Sequence, residues 1–178
     1  MVQEPLAISL AGTMLESGAS SSFSVGQELA FALEFLMPAP LQAVKGGRRS
    51  LTHIGGARYS AIGRSVCSER HWWVVDFGIP AYARVWPEAP KHEPGTVFEG
   101  QVHLAMDPGD YCWDFSLYPS APPLVFDWRI VRIEAVAKTG VAREFSKVPA
   151  FADDEECIIH CVRLAEEPRR SSACPALC

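Results

Sequence analysis

No run in this chain approaches the ~18 consecutive apolar residues that a helix needs to cross a bilayer, so no membrane association is expected. An excess of basic residues is also missing. Sixteen Lys and Arg stand against 21 Asp and Glu, a formal net charge of −5. General nucleic-acid and anionic-membrane binders need the opposite balance to displace counterions. Nucleic acid is thereby disfavoured as a partner, and a protein, basic if anything, suits an acidic surface better. The opening MVQEPLAISLAG has no positively charged leader flank and carries Glu4 and Pro5 ahead of a short apolar run. A secretory signal reads differently. Without export, the six cysteines are expected as reduced thiols of a cytoplasmic protein.

Catalytic signatures are lacking as well. There is no phosphate-loop spacing, dinucleotide fingerprint, nucleophile elbow or metalloprotease helix. The sequence therefore assigns no catalytic residue, no cofactor and no metal, and the protein is expected not to be an enzyme. Cys157 and Cys161, followed by Cys174 and Cys178, raise the question of zinc. On a strand, however, residues four apart lie some 13 Å from each other, too far to share one ion. Buried and tail thiols are the simpler reading.

What is present suits a β domain. Hydrophobic residues make up 48% of the 178 and charged residues 21%, enough for one real core. Loop signals at 18–22, 37–40, 45–50, 87–95, 107–110 and 119–123 separate short runs rich in Val, Ile, Phe, Tyr and Trp. The expected fold is all-β and mainly antiparallel, a small Greek-key or OB-like barrel or sandwich with little helix. The OB likeness is one of pattern only. Residues 1–167 read as a single domain and 168–178 as a C-terminal tail.

Individual strands are expected at 5–12, 57–68, 70–80, 124–138 and 156–167. In the third of these Trp73, Val75, Phe77 and Ile79 share a face; in the last, Ile158, Val162 and Leu164 do. In 124–138 the apolar parity runs through Leu124, Phe126, Trp128 and Ile130, then switches to Val131, Ile133 and Ala135. Such a switch predicts a bulge. Segment 24–37 alternates as a strand, although Ser24 and Gln27 have capping-box spacing. Strand is the preferred reading.

The stretch VFEGQVHLAMDPGDYCWDFSLY (97–118) reads as a hairpin around Asp107-Pro108-Gly109-Asp110. Its register would pair Met106 with Tyr111, Leu104 with Trp113 and Val102 with Phe115. His103 would then face Asp114 on the polar side, near Cys112 and Ser116. A flat pleated face offers neither the geometry of a triad nor an oxyanion hole, so these residues are expected to meet solvent or a partner.

Two further constellations invite recognition. Trp72 and Trp73 are adjacent, so a strand sends them to opposite faces; Trp72, beside His71, is then either covered by a loop or tail or a candidate surface platform for a partner or a base. The segment 45–58 gathers Arg48, Arg49 and Arg58 among glycines, a mobile backbone that can approach an anion. The expected function is a non-catalytic protein-binding module, such as an adaptor, regulator or neutralising partner, using an aromatic and polar sheet face. The alternative is an OB-like single-stranded nucleic-acid binder using the basic glycine loop 45–58. A small-ligand or enzymatic barrel with an interior polar cavity is the third.

Overall fold

Short segments of β-branched and aromatic residues, broken by glycine and proline, leave little room for helix, and the chain folds as nearly all strand, mostly antiparallel. The computed structural model describes residues 4–10, 23–86, 89, 91–107, 109–137, 139–148 and 155–169. Its strands are β1 (Leu6–Ser9), β2 (Glu28–Phe31), β3 (Leu33–Leu36), β4 (Gln42–Val44), β5 (Ser50–Gly55) and β6 (Arg58–Ser68). They continue as β7 (Trp72–Asp76), β8 (Pro80–Arg84), β9 (Val97–Met106), β10 (Phe126–Ala137), β11 (Ala142–Phe145) and β12 (Glu155–Arg163). One helical turn, α1 (Asp110–Trp113), precedes a 3-10 turn at Phe115–Leu117. Among the described residues no helix is long and apolar enough to cross a membrane.

Five strands close on themselves in the order β9-β3-β8-β7-β6 and back to β9. Closure removes the open edges that a flat sheet would present. Ring members pair antiparallel except β3 and β8, which run parallel with Glu34 opposite Tyr82. The interior is filled with side chains. Phe35 meets Trp73 and Phe77 edge-on at centroid distances of 5.7 and 5.3 Å, and Trp73 meets Phe98 at 5.0 Å. Gly63 on β6 permits this packing: a Cβ there would lie 2.4 Å from a Val75 methyl and 2.5 Å from the Phe77 ring.

A second sheet grows from β9 through β1, β12 and β10, with β2 and β11 along the far edge of β10. Because β2 runs into β3 through Ala32, one segment borders both the sheet and the barrel. The parity switch of β10 is a register shift between Ile130 and Arg132, so Phe126, Trp128 and Ile130 are buried before it and Ile133 and Ala135 after it. The strand reading of 24–37 also holds. Ser24 and Gln27 do not cap a helix: the Ser24 amide donates to the Gln27 side chain at 3.0 Å, and the Gln27 amide donates to the Ser24 carbonyl. On β12 the run Cys157–Cys161 is buried on both faces, while Leu164 is exposed, so the one-sided pattern expected there does not hold.

The largest departure is the hairpin. β9 ends at Met106, and its pairing there is with β3, Met106 opposite Leu33 and Leu104 opposite Phe35. Residues 110–117 are helical and do not return as a strand. Asp107 explains the change. Its carboxylate accepts the amides of Gly109 at 3.0 Å and Tyr111 at 3.3–3.4 Å, satisfying donors that a starting helical turn leaves open. The alternation of Tyr111, Trp113, Phe115 and Leu117 contains two interleaved four-residue spacings, and four residues return to the same side of a helix as well as of a strand. The structure buries Tyr111 and Phe115 and exposes Trp113 and Leu117.

The buried pair covers the outer wall of the barrel. Tyr111, Phe115, Leu124 and Val125 pack on Ala30, Ala32, Trp72, Val74 and Tyr82, a second core outside the ring. Asp107 and residues 109–125 thus form a strap, fastened by the Tyr82 hydroxyl donating to Asp107 at 2.7 Å and by Arg84 pairing with Asp110 at 2.8 Å. The chain after β12 also docks as far as it is described: the Arg169 amide donates to the Val125 carbonyl and its guanidinium reaches Asp127. The remainder of the expected tail lies outside the described residues, as do the loop 18–22, Cys174 and Cys178.

Candidate functional site

The residues expected to recognise a partner do not gather at one place. Trp72 is buried, not exposed: Phe115 stacks on its ring at 5.0 Å and 14°, and Arg84 lies 4.9 Å from the ring centre. The strap takes the position that the hairpin reading had left open to solvent. His103 and Asp114 are likewise not opposed. His103 stays on β9 and its Nε2 lies 3.2 Å from Glu156, whose carboxyl is drawn below its usual range by that hydrogen bond. Asp114 sits at the end of α1, exposed between Trp113 and Phe115. Arg49 pairs with Asp76, Arg48 is exposed, and Arg58 lies opposite His103. Arg49 and Arg58 thus flank opposite ends of β5, so the basic segment is an extended strand and a tight turn and offers no common groove.

His71 leads to the more informative place. The β6–β7 turn is tied across its base by paired backbone bonds between Glu69 and Trp72. The chain leaving β8 is then held against this turn, with Val85 donating to the His71 carbonyl at 2.9 Å and Ala89 to the Arg70 carbonyl at 2.8 Å. Trp86, the first large side chain after β8, stacks on the His71 imidazole at 5.0 Å and 19°. Its other side is open, and the residue is 82% exposed. The same turn and the chain after β8 also line a cleft of about 500 Å³, through Ser68, Glu69, Arg70, Ala89 and Lys91. Glu69 is engaged by the Ser120 hydroxyl, whereas Arg70 and Lys91 are exposed and have no ion-pair partner among the described residues. His71 Nδ1 is buried and has no hydrogen-bond partner among the described residues.

A second cleft, of about 510 Å³, opens where the tip of the β5–β6 hairpin overhangs the other sheet. Glu4, Pro5, Ala7, His53, Tyr59, Arg132 and His160 line it. Here the polar groups largely satisfy one another. Tyr59 exchanges hydrogen bonds with the Ala7 backbone, and His53 Nε2 lies 2.7 Å from the Gly56 carbonyl. His160 contacts Glu134 through Nε2 at 2.8 Å, with Arg132 against its ring. Burial holds His160 below its ordinary pKa, and Arg132 adds to this while Glu134 opposes it. Nε2 lies 2.8 Å from both Glu134 and the Arg132 guanidinium, and Nδ1 lies 3.3 Å from the latter. Among the described residues His160 is hydrogen-bonded to Arg132 and Glu134 and to no hydroxyl or thiol, and the network reads as a cross-strand brace between β10 and β12.

A third concentration of charge lies under the strap. Desolvation, with Asp107 and Asp110 nearby, raises Glu34 to about 7. Burial raises Asp107 too, against the hydrogen bonds it accepts from Tyr82 and the strap backbone. Among the cysteines, Cys67, Cys157 and Cys161 are free, with burial raising the first to about 11 and the other two to about 12. Cys112 is disulfide-bonded, contrary to the expectation of reduced thiols throughout. A disulfide suits an oxidising compartment, so the cysteine argument for the cytoplasm is weakened.

Sequence reasoning named His71 but missed Trp86, Arg70 and Lys91. The available signal was an aromatic residue at the mouth of the proline-rich loop 87–95, where a strand ends and no cross-strand neighbour covers the ring. No protein-family model, curated protein or solved structure matches this chain.

Proposed function

We propose that this protein is a non-catalytic protein-binding module whose contact surface is the outer side of the strap. One observation carries the reading: Trp113 and Leu117, four residues apart, are 76% and 75% exposed on the same segment. Tyr111 and Phe115 already anchor the strap, so this second apolar pair is not needed to hold it. Solvent-facing Trp is costly to leave in water and is enriched among residues that dominate interface energetics. Asp114 adds an exposed carboxylate between them, which fits the basic partner expected from the net charge. The test uses the full chain as bait, with Trp113→Ala/Leu117→Ser alongside. A partner captured by the wild type, identified and purified, should bind at least tenfold more weakly to the double variant by calorimetry. Equal binding by both overturns the reading.

A second reading is favoured by the order of pairings in the ring. β6, β7 and β8 form a meander, β3 lies parallel to the last of these, and β9 closes between β3 and β6. The OB barrel has this order when its final strand is moved to the front of the chain, and OB barrels bind oligonucleotides on one face and adjoining loops. The basic segment 45–58 supports that reading weakly, because Arg49 is engaged by Asp76 and Arg58 lies near Glu156.

A further inference from the structure

If the second reading is right, the nucleic acid need not lie where the sequence first suggested. A single strand offers a flat base and, a few ångströms away, a phosphate. A site for it needs an aromatic face open on one side and cations not already neutralised. The arginines around β5 lack the aromatic face, and the Trp72 face is covered by Phe115. The β6–β7 turn has both features. Trp86 is backed by His71, which holds the indole in place and leaves its far side free. Arg70 and Lys91 line the cleft at this turn without carboxylate partners among the described residues, because Glu69 is turned to Ser120. The backbone bonds from Val85 and Ala89 to the turn fix the aromatic and cationic parts relative to each other before any ligand arrives.

We propose that the cleft beside the β6–β7 turn binds single-stranded nucleic acid, with a base stacked on the open face of Trp86 and a backbone phosphate between Arg70 and Lys91. This rests on the second reading above and relocates its site. A purely acidic peptide would satisfy the two cations but bring no ring for Trp86, whereas every nucleotide carries both a base and a phosphate. With two phosphate-neutralising side chains, the logarithm of affinity should fall with the logarithm of salt at a slope of about −1.4, from roughly −0.7 per contact on a single strand. Elsewhere the chain is acidic, so binding should be modest and confined to low salt.

The experiment is a fluorescence-anisotropy titration of a labelled 12-residue oligothymidine with the full chain at several salt concentrations. Trp86→Ala and Arg70→Gln/Lys91→Gln are run in parallel, with a polyglutamate peptide as competitor. All three positions are exposed, and circular dichroism confirms that the variants are folded. The proposal expects saturable binding, at least tenfold weaker in Trp86→Ala. It expects a near-flat salt dependence in the double variant and little competition by polyglutamate. Absence of binding at low salt, binding unchanged by the substitutions, or equal competition by the peptide overturns it. Loss of nucleic-acid binding on these substitutions leaves the strap surface untouched, so the protein-binding reading fails or survives separately through Trp113 and Leu117.

Discussion

Gly63 is among the most constrained single positions in the barrel. A methyl group there must displace Val75 and Phe77, which pack in the interior against Phe35 and cannot yield freely. Gly63→Ala is expected to lower unfolding free energy by about 1–3 kcal/mol, as overpacking usually does; an unchanged midpoint in urea would contradict the packing described. Glu34 makes a prediction of opposite chemistry. Folded, it keeps its proton up to about pH 7, whereas the unfolded carboxyl releases it near 4.5. Between those values the native state holds more protons, so this contribution to stability is complete at low pH and fades as pH rises toward 7. His160, held neutral by burial, acts in the reverse sense, its contribution fading as pH falls. The difference between wild type and Glu34→Gln isolates the first effect. Thermal midpoints should converge at acid pH, with the variant gaining relative stability toward pH 7. The free thiols offer a third check: Cys157 and Cys161, pushed up to about 12, should resist iodoacetamide at pH 8 until the protein is denatured.

The strap is the element on which sequence and structure diverge. Phe115 is fully buried against Trp72 and Tyr82, so Phe115→Ala should cost about 3–5 kcal/mol if the strap folds with the barrel. Loss of protection confined to 107–125 in hydrogen exchange, with the barrel unaffected, would instead show that the strap opens separately. Its misreading as a strand has a definite cause. Periodicity reports which residues share a face, and Tyr111 and Phe115 share one in either conformation. What decides between them is the Asp107 carboxylate, whose hydrogen bonds to Gly109 and Tyr111 start a helical turn. Period-two reasoning succeeded along β10, where no such local bond competes; over 70–80 it did not, because β7 is buried on both faces and ends at Asp76, with a turn at 77–79. The bulge of β10 was legible because burial alone forces the parity of Phe126, Trp128 and Ile130 to give way to that of Ile133 and Ala135. The cleft at Arg70 and Lys91 was not legible, because it is assembled by backbone bonds between a turn and a loop that no alternation encodes.

At the scale of the molecule, β9 is the strand that both sheets share. It pairs with β3 and β4 along one side and with β6 and β1 along the other. The all-β class, the antiparallel bias and the presence of a barrel follow from composition and turn spacing. Which strands neighbour one another does not, since it depends on contacts between residues far apart in sequence. The pairing of β2 with β10 illustrates the distance, joining Phe31 to Phe126 and Glu28 to Arg129. A ribosome making this protein therefore exposes β2 and β3 long before their partners exist. The nascent chain must shelter β3 until β8 and β9 emerge, and β2 until β10 does. A chain interrupted before Arg163 should be cleared by proteolysis and should not persist as a folded half.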